Sequence, residues 1–219
     1  MTLILTIACV VWLAGVLWAE WSGNNQVRYF CKPIASACFI AVALVGGALD
    51  SSASGYATWV VIGLVFGAGG DVALMIRGKR MFMLGLVLFL LGHLAYVVAC
   101  AQLIPPGEWV SPWALFGVAS GVGVLMYLWP HLGTMRIPVI VYTVTIMVML
   151  VAAIAVWRGD SQLSDEAATL LVLGAAIFVA SDVSVARQRF VSETFANRAW
   201  GLPAYYTGQL LIAWSTIVA

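Results

Sequence analysis

Apolar residues fill nearly the whole chain in blocks of about twenty, separated by short clusters of charged residues, glycine and proline. A helix needs roughly 20 such residues to cross a hydrocarbon core ~30 Å thick. In lipid, a backbone can satisfy its own polar groups only as a helix or a closed barrel. The pattern predicts eight spanning helices, at about Leu3–Trp21, Tyr29–Leu49, Tyr56–Ile76, Met81–Leu103, Pro112–Trp129, Arg136–Trp157, Ala167–Ala186 and Trp200–Val218. Tryptophans near the ends of these blocks (Trp18, Trp21, Trp109, Trp113, Trp129, Trp157 and Trp200) fit an interfacial aromatic belt. The connections are short and hold no linker or low-complexity tract. The expected architecture is therefore all-α, one polytopic integral-membrane domain over residues 1–219. Met1 to Glu20 lacks a basic leader and a clear cleavage site, so it reads as the first span rather than a signal peptide.

Composition strengthens this picture. Of the 219 residues, 63% are hydrophobic and only 9% charged, too few charges to cover a soluble surface, where about 25% is usual. A net charge of +1 gives no case for nucleic acid or an acidic partner. The position of the few charges matters more. The loops after spans one, three, five and seven hold Arg28, Lys32, Arg77, Lys79, Arg80, Arg136, Arg187, Arg189 and Arg198, whereas the other loops hold only Arg158. By the positive-inside rule the first set is cytoplasmic, which puts both termini outside if the number of spans is even. The expected location is the inner membrane of a bacterial cell. Cys9, Cys31, Cys38 and Cys100 lie in or beside apolar runs with no C-x-x-C pair, and they read as packing residues.

Two of the nine acids stand out. Asp71 and Asp182 lie inside apolar helices, where a carboxylate costs at least ~2.5 kcal/mol on insertion scales. Asp71 precedes Arg77 by six residues and Asp182 precedes Arg187 by five, so both lie about 8–9 Å inside the same boundary. Equal depth suggests one shared polar site. Each is preceded by a small residue, with a phenylalanine about one turn earlier and basic residues after it. Gly92-His93-Leu94 and Gly208-Gln209-Leu210 follow in the next spans, and the acids are 111 residues apart, about half the chain. Two four-helix repeats of the same orientation would produce such a pairing. The plainer reading is that each acid pairs with Lys32 or Arg77, or serves as packing glue between helices.

Other polar residues are ranked against the pair. Phe82, Gly85, Phe89, Gly92, His93 and Tyr96 form one stripe of the fourth span, so His93 and Tyr96 are candidates to line the cavity. Tyr142, Tyr206 and Gln209 enter at compatible depth, whereas Tyr205 reads better as an interfacial anchor. Lys32, against Pro33 at the opening of the second span, can reach a phosphate or one of the aspartates.

At these residues the chain resembles the YhhN family, whose animal members are the TMEM86 lysoplasmalogenases. The matching segments, in family order over nearly the whole chain, begin with Lys32-Pro33 and the run from Gly63 through Phe66 to Gly70-Asp71 and Met75. Phe82, Gly85, Gly92-His93-Leu94 and Tyr96 come next, then Pro138 and Tyr142. The run from Gly174 to Ser181-Asp182, Arg189-Phe190, Tyr206, Gln209 and Leu211-Ile212 complete the set. The resemblance implies an eight-span hydrolase that cleaves the vinyl ether bond of lysoplasmalogens to a fatty aldehyde and glycerophospho-ethanolamine or -choline. It implies Asp71 and Asp182 as the catalytic pair, and no cofactor is expected; among the basic residues near the predicted cytoplasmic mouth, Lys32 is the expected contact to the lysophospholipid headgroup. The chemistry agrees with two carboxyls. Protonation of the vinyl ether β-carbon gives an oxocarbenium ion, which water attacks to form a hemiacetal. This needs one neutral acid and one carboxylate. The sequence leaves open which aspartate plays which part, and it leaves the oligomeric state open too.

Other functions remain to be weighed. A zinc hydrolase needs more ligands than His93 and His131 supply. A proton-coupled transporter also uses intramembrane aspartates, and Gly67, Gly69 and Gly70 before Asp71 suit a broken helix. A lipid-sensing scaffold would need the acids only for packing.

Overall fold

A computed structural model describes residues 1–48 and 54–219. The end of the second expected span at Leu49, and Asp50 after it, lie outside the described residues. Among the described residues the regular structure is entirely helical, with eight long helices: α1 (Thr2–Ser22), α2 (Asn25–Val45), α3 (Ser54–Met75), α4 (Lys79–Ala101), α5 (Pro112–Leu128), α6 (Arg136–Arg158), α7 (Asp165–Ala186) and α8 (Phe195–Ser215). Seven of them are long and apolar enough to cross a membrane. The eighth, α8, has 21 residues but carries Asn197, Arg198, Tyr205, Tyr206 and Gln209, which lower its hydropathy. Hydropathy therefore supports seven of the eight expected crossings.

Two helices start four or five residues earlier than the apolar pattern predicts. The Asn24 side chain accepts from the Val27 amide and starts α2 at Asn25, so Pro33 falls inside the helix and Lys32 lies two turns in from its start. Likewise α8 begins at Phe195 and carries Pro203 within it. A helix does not have to stop where apolarity stops, because polar residues such as Asn197 and Arg28 continue the turns on a face that leaves the lipid. Elsewhere Ser164 caps α7 through the Ala167 amide, and Asp165 and Glu166 in the first turn suit the positive end of the helix dipole.

Glycine sets how closely the helices meet. In the α3–α4 hairpin, a methyl added at Gly92 would sit 3.2 Å from the Gly63 carbonyl oxygen. In the α7–α8 hairpin, one added at Gly174 would sit 2.9 Å from the Gly208 carbonyl oxygen. Without a hydrophobic drive between helices in lipid, such close backbone approach is a main source of packing energy. The core gathers Phe39, Val42, Leu64, Phe89, Ala153, Phe178 and Ile212, while Leu3, Ile7, Val11, Leu115, Phe116 and Val144 point outward. Six of the seven end tryptophans are exposed. The seventh, Trp109, is buried and donates from its indole nitrogen to the Ile104 carbonyl at 3.0 Å, so it is a packing residue and not a belt residue. All four cysteines are free and buried.

Candidate functional site

Three polar residues on α2, Arg28, Lys32 and Ser36, recur every four positions and so share one face. All three are buried, and that face meets α3. On α3, Gly63, Gly67 and Gly70 clear a path. A side chain at Gly63 would overlap the Tyr96 ring, one at Gly67 the Gln209 amide, and one at Gly70 the Phe89 ring. Both α4 and α8 can therefore lie against the turn that presents Asp71.

Asp71 is 2% exposed and fully engaged. Its Oδ1 lies 2.9 Å from the Lys32 ammonium and its Oδ2 accepts from the Ser36 hydroxyl at 2.6 Å. Tyr206 supports this pair from α8, its hydroxyl lying 3.1 Å from Ser36 Oγ and donating to the Lys32 carbonyl. Beside it runs a second buried chain. Tyr96 donates to Gln209 at 2.6 Å, the Gln209 amide donates to the Tyr205 hydroxyl, and Tyr205 interacts with Asp71. A buried charge needs a partner and hydrogen bonds of this kind.

Asp182 sits in different surroundings. Tyr142 donates to its Oδ2 at 2.7 Å, and His93 Nε2 lies 3.8 Å from the same oxygen. Among the described residues no lysine or arginine lies within ion-pair distance of it. The Asp182 side chain is 16% exposed, against 3% for Asp71. His93 is fully buried, its ring against Phe178 and edge-on to Tyr142, and neither nitrogen has a hydrogen-bond partner among the described residues.

Both aspartates open onto one cavity of about 650 Å³. Its inner wall carries Lys32, Phe89 and Tyr205, and its mouth carries Arg28, Arg77, Arg189 and Arg198. A narrow apolar pocket of about 70 Å³, bounded by Leu86, Leu128, Tyr142, Ile146, Met147 and Val179, adjoins it. Leu74, Phe82, Phe89, Asp182, Val185 and Phe190 line both. Asp182 therefore stands where a polar vestibule meets a greasy slot.

The sequence candidates divide accordingly. Asp71, Asp182 and Lys32 line the larger cavity, and Tyr142 lines the apolar pocket. His93, Tyr96, Tyr206 and Gln209 lie behind the walls, buried and tied to the site by hydrogen bonds or ring contacts. Tyr205 is no interfacial anchor: it is buried among Phe39, Phe89 and Phe178 and faces the cavity. Ser36 is absent from the sequence candidates and Arg28 enters there only as a loop charge, although their four-residue spacing around Lys32 marks them.

The site coincides with a known sequence pattern. The model of the YhhN family matches residues 27–216. The chain belongs to the YhhN family. Every residue lining the larger cavity except Glu20 falls within the YhhN match. A lysoplasmalogenase of Mycobacterium tuberculosis is 31% identical over 180 residues, 77% of this chain and 62% of the relative. Lysoplasmalogenase TMEM86A of Bos taurus is 30% identical over 210 residues, covering 92% of this chain and 83% of the relative. The Homo sapiens protein of the same name is 29% identical over 212 residues, with the same coverage. The chain spans about three fifths of the length of the mycobacterial relatives it matches. No solved structure matches it.

Proposed function

We propose that this YhhN-family chain hydrolyses the vinyl ether bond of lysoplasmalogens within the membrane, using Asp71 and Asp182 as a pair with unequal roles. The observation that carries the reading is the asymmetry of one cavity. Lys32 balances the charge of Asp71 and Ser36 donates a hydrogen bond to it, whereas Asp182 faces Tyr142 and His93 at the edge of an apolar slot. With Asp71 held as the carboxylate, Asp182 is the carboxyl left to donate a proton. The names of the relatives support hydrolysis, and none supports transport.

The first carbons of the alkenyl chain enter the apolar pocket beside Phe82 and Phe89, with the ether oxygen toward the vestibule. Asp182 protonates the β-carbon, and the positive charge develops on the ether carbon and oxygen beside the two carboxylates. Water attacks the α-carbon as Asp71 takes its proton, giving the hemiacetal. In the collapse Asp71 returns that proton to the glycerol oxygen while Asp182 accepts the hydroxyl proton. The bond between the former vinyl carbon and the glycerol oxygen breaks, and both aspartates regain their starting states. Each proton transfer of this kind is worth about 10²–10⁴-fold.

The vestibule faces the cytoplasm in this proposal, because its mouth carries Arg28, Arg77, Arg189 and Arg198, from the predicted cytoplasmic loops. The matched glycine contacts of the α3–α4 and α7–α8 hairpins support a site built between two related halves. Detergent-purified protein incubated with lysoplasmenyl-ethanolamine is expected to release fatty aldehyde at the same rate with and without EDTA. A folded preparation that releases none would contradict the proposal, and loss of activity in EDTA would contradict its two-carboxylate chemistry.

A further inference from the structure

A lysophospholipid brings a phosphate into the membrane surface, and its recognition requires a cation that no carboxylate already holds at hydrogen-bond distance. Lys32 does not meet that requirement, because its ammonium is held by the Asp71 carboxylate and also reaches the Asp71 carbonyl. Arg198 does not either, since it is ion-paired to both Glu20 and Glu193. Of the other arginines at the mouth, Arg189 lies over the Phe82 ring at 4.4 Å, and Arg28 and Arg77 are differently placed. The Arg28 side chain is 10% exposed, with one terminal nitrogen donating to the Met75 carbonyl at 3.2 Å and another 3.7 Å from Glu20. Its Nε is buried without a hydrogen-bond partner. An orphaned guanidinium donor in a buried position costs stability unless something occupies it. Arg77 is exposed and has no ion-pair partner among the described residues. Both arginines line the main cavity, and both also line a polar annex of about 210 Å³ beside it, where Asn25, Gln188 and Thr194 join them and the two carboxylates present, Glu20 and Glu193, are both paired with Arg198.

We infer that Arg28 and Arg77 form the subsite for the phosphate of a lysophospholipid headgroup, and so set the preference for phospholipid over neutral ether lipid. This rests on the reading of the cavity as a lipid site and names residues that reading does not. The guanidinium fork suits two phosphate oxygens, and the low dielectric of a buried position strengthens each charge-assisted bond. The annex and the apolar pocket share no lining residue, and each shares residues with the main cavity, so the headgroup and the hydrocarbon chain would occupy separate compartments of one site.

The test measures binding, so it does not depend on turnover. The full chain in detergent is titrated with 1-acyl lysophosphatidylethanolamine and with the monoacylglycerol of the same chain length. Wild type is expected to bind the phospholipid about tenfold or more tightly, and Arg77→Gln and Arg28→Gln are expected to remove that preference while leaving monoacylglycerol affinity unchanged. Arg77 is exposed, so its variant keeps the test valid if the Arg28 variant misfolds. Equal affinity of wild type for both lipids, or a preference that survives in Arg77→Gln, would overturn the inference. Competition by millimolar inorganic phosphate would also overturn it, by making the site one for the free ion. A protein that shows the binding preference but cleaves no vinyl ether would sink the hydrolase proposal and leave this subsite standing.

Discussion

Asp182→Asn is expected to lower aldehyde release by about 10²–10⁴-fold while the helices stay assembled. Asparagine keeps the size of the side chain and can still accept the hydrogen bond from Tyr142 through its carbonyl oxygen, which is the main polar contact Asp182 makes. What it lacks is a transferable proton at the junction between vestibule and apolar pocket. The steady-state rate and the thermal unfolding midpoint should therefore separate: activity collapses and the midpoint moves little. A variant that turns over near the wild-type rate would remove Asp182 from the chemistry. A variant that fails only because it unfolds would return Asp182 to a packing role.

The second large effect concerns stability. Lys32→Met leaves the Asp71 carboxyl buried, with the Ser36 hydroxyl and Tyr205 but no cation, and breaking a buried pair from one side typically costs about 3–5 kcal/mol. Replacing both partners, Lys32→Met with Asp71→Asn, removes the stranded charge. The double variant is expected to recover most of the unfolding midpoint but none of the activity. This non-additivity is the signature of a coupled pair. If the double variant is as unstable as the two single losses added together, Lys32 and Asp71 do not act as a unit, and the resting carboxylate assigned to Asp71 loses its basis.

Much of the architecture was legible because the membrane imposes a simple rule on the sequence. An apolar block of about twenty residues must close its backbone hydrogen bonds internally, and the expected limits of α1, α5 and α6 fall within one or two residues of the observed helices. The errors arise where helix and apolarity part company. Asn24 caps α2 ahead of its first apolar run, and Asn197 and Arg198 extend α8 outward from its apolar part. Starting α8 at Trp200 placed Tyr205 near a helix end. Starting it at Phe195 places Tyr205 about 15 Å along the axis, at the level of the aspartates.

That Asp71 and Asp182 would share one polar site was readable from their matched distances to the next arginine, and both line one cavity, but the difference between them was not. That difference depends on Lys32 and Ser36, which lie 39 and 35 residues from Asp71 in sequence and reach it only through the packing of α2 on α3. The spacing of Arg28, Lys32 and Ser36 was the available clue, a polar face on a helix otherwise suited to lipid. His93 shows the reverse: its stripe on α4 is confirmed, yet the ring is sealed behind Asp182 and does not line the cavity.

The central claim is that a carboxylic acid protonates carbon at Asp182, and the most direct measurement is turnover of lysoplasmenyl-ethanolamine in D2O with mass analysis of the aldehyde. The mechanism predicts one deuterium on the carbon next to the aldehyde group, a slower rate than in H2O, and loss of both signals in Asp182→Asn. Aldehyde formed without deuterium at that carbon, or formed equally fast by Asp182→Asn, would contradict it.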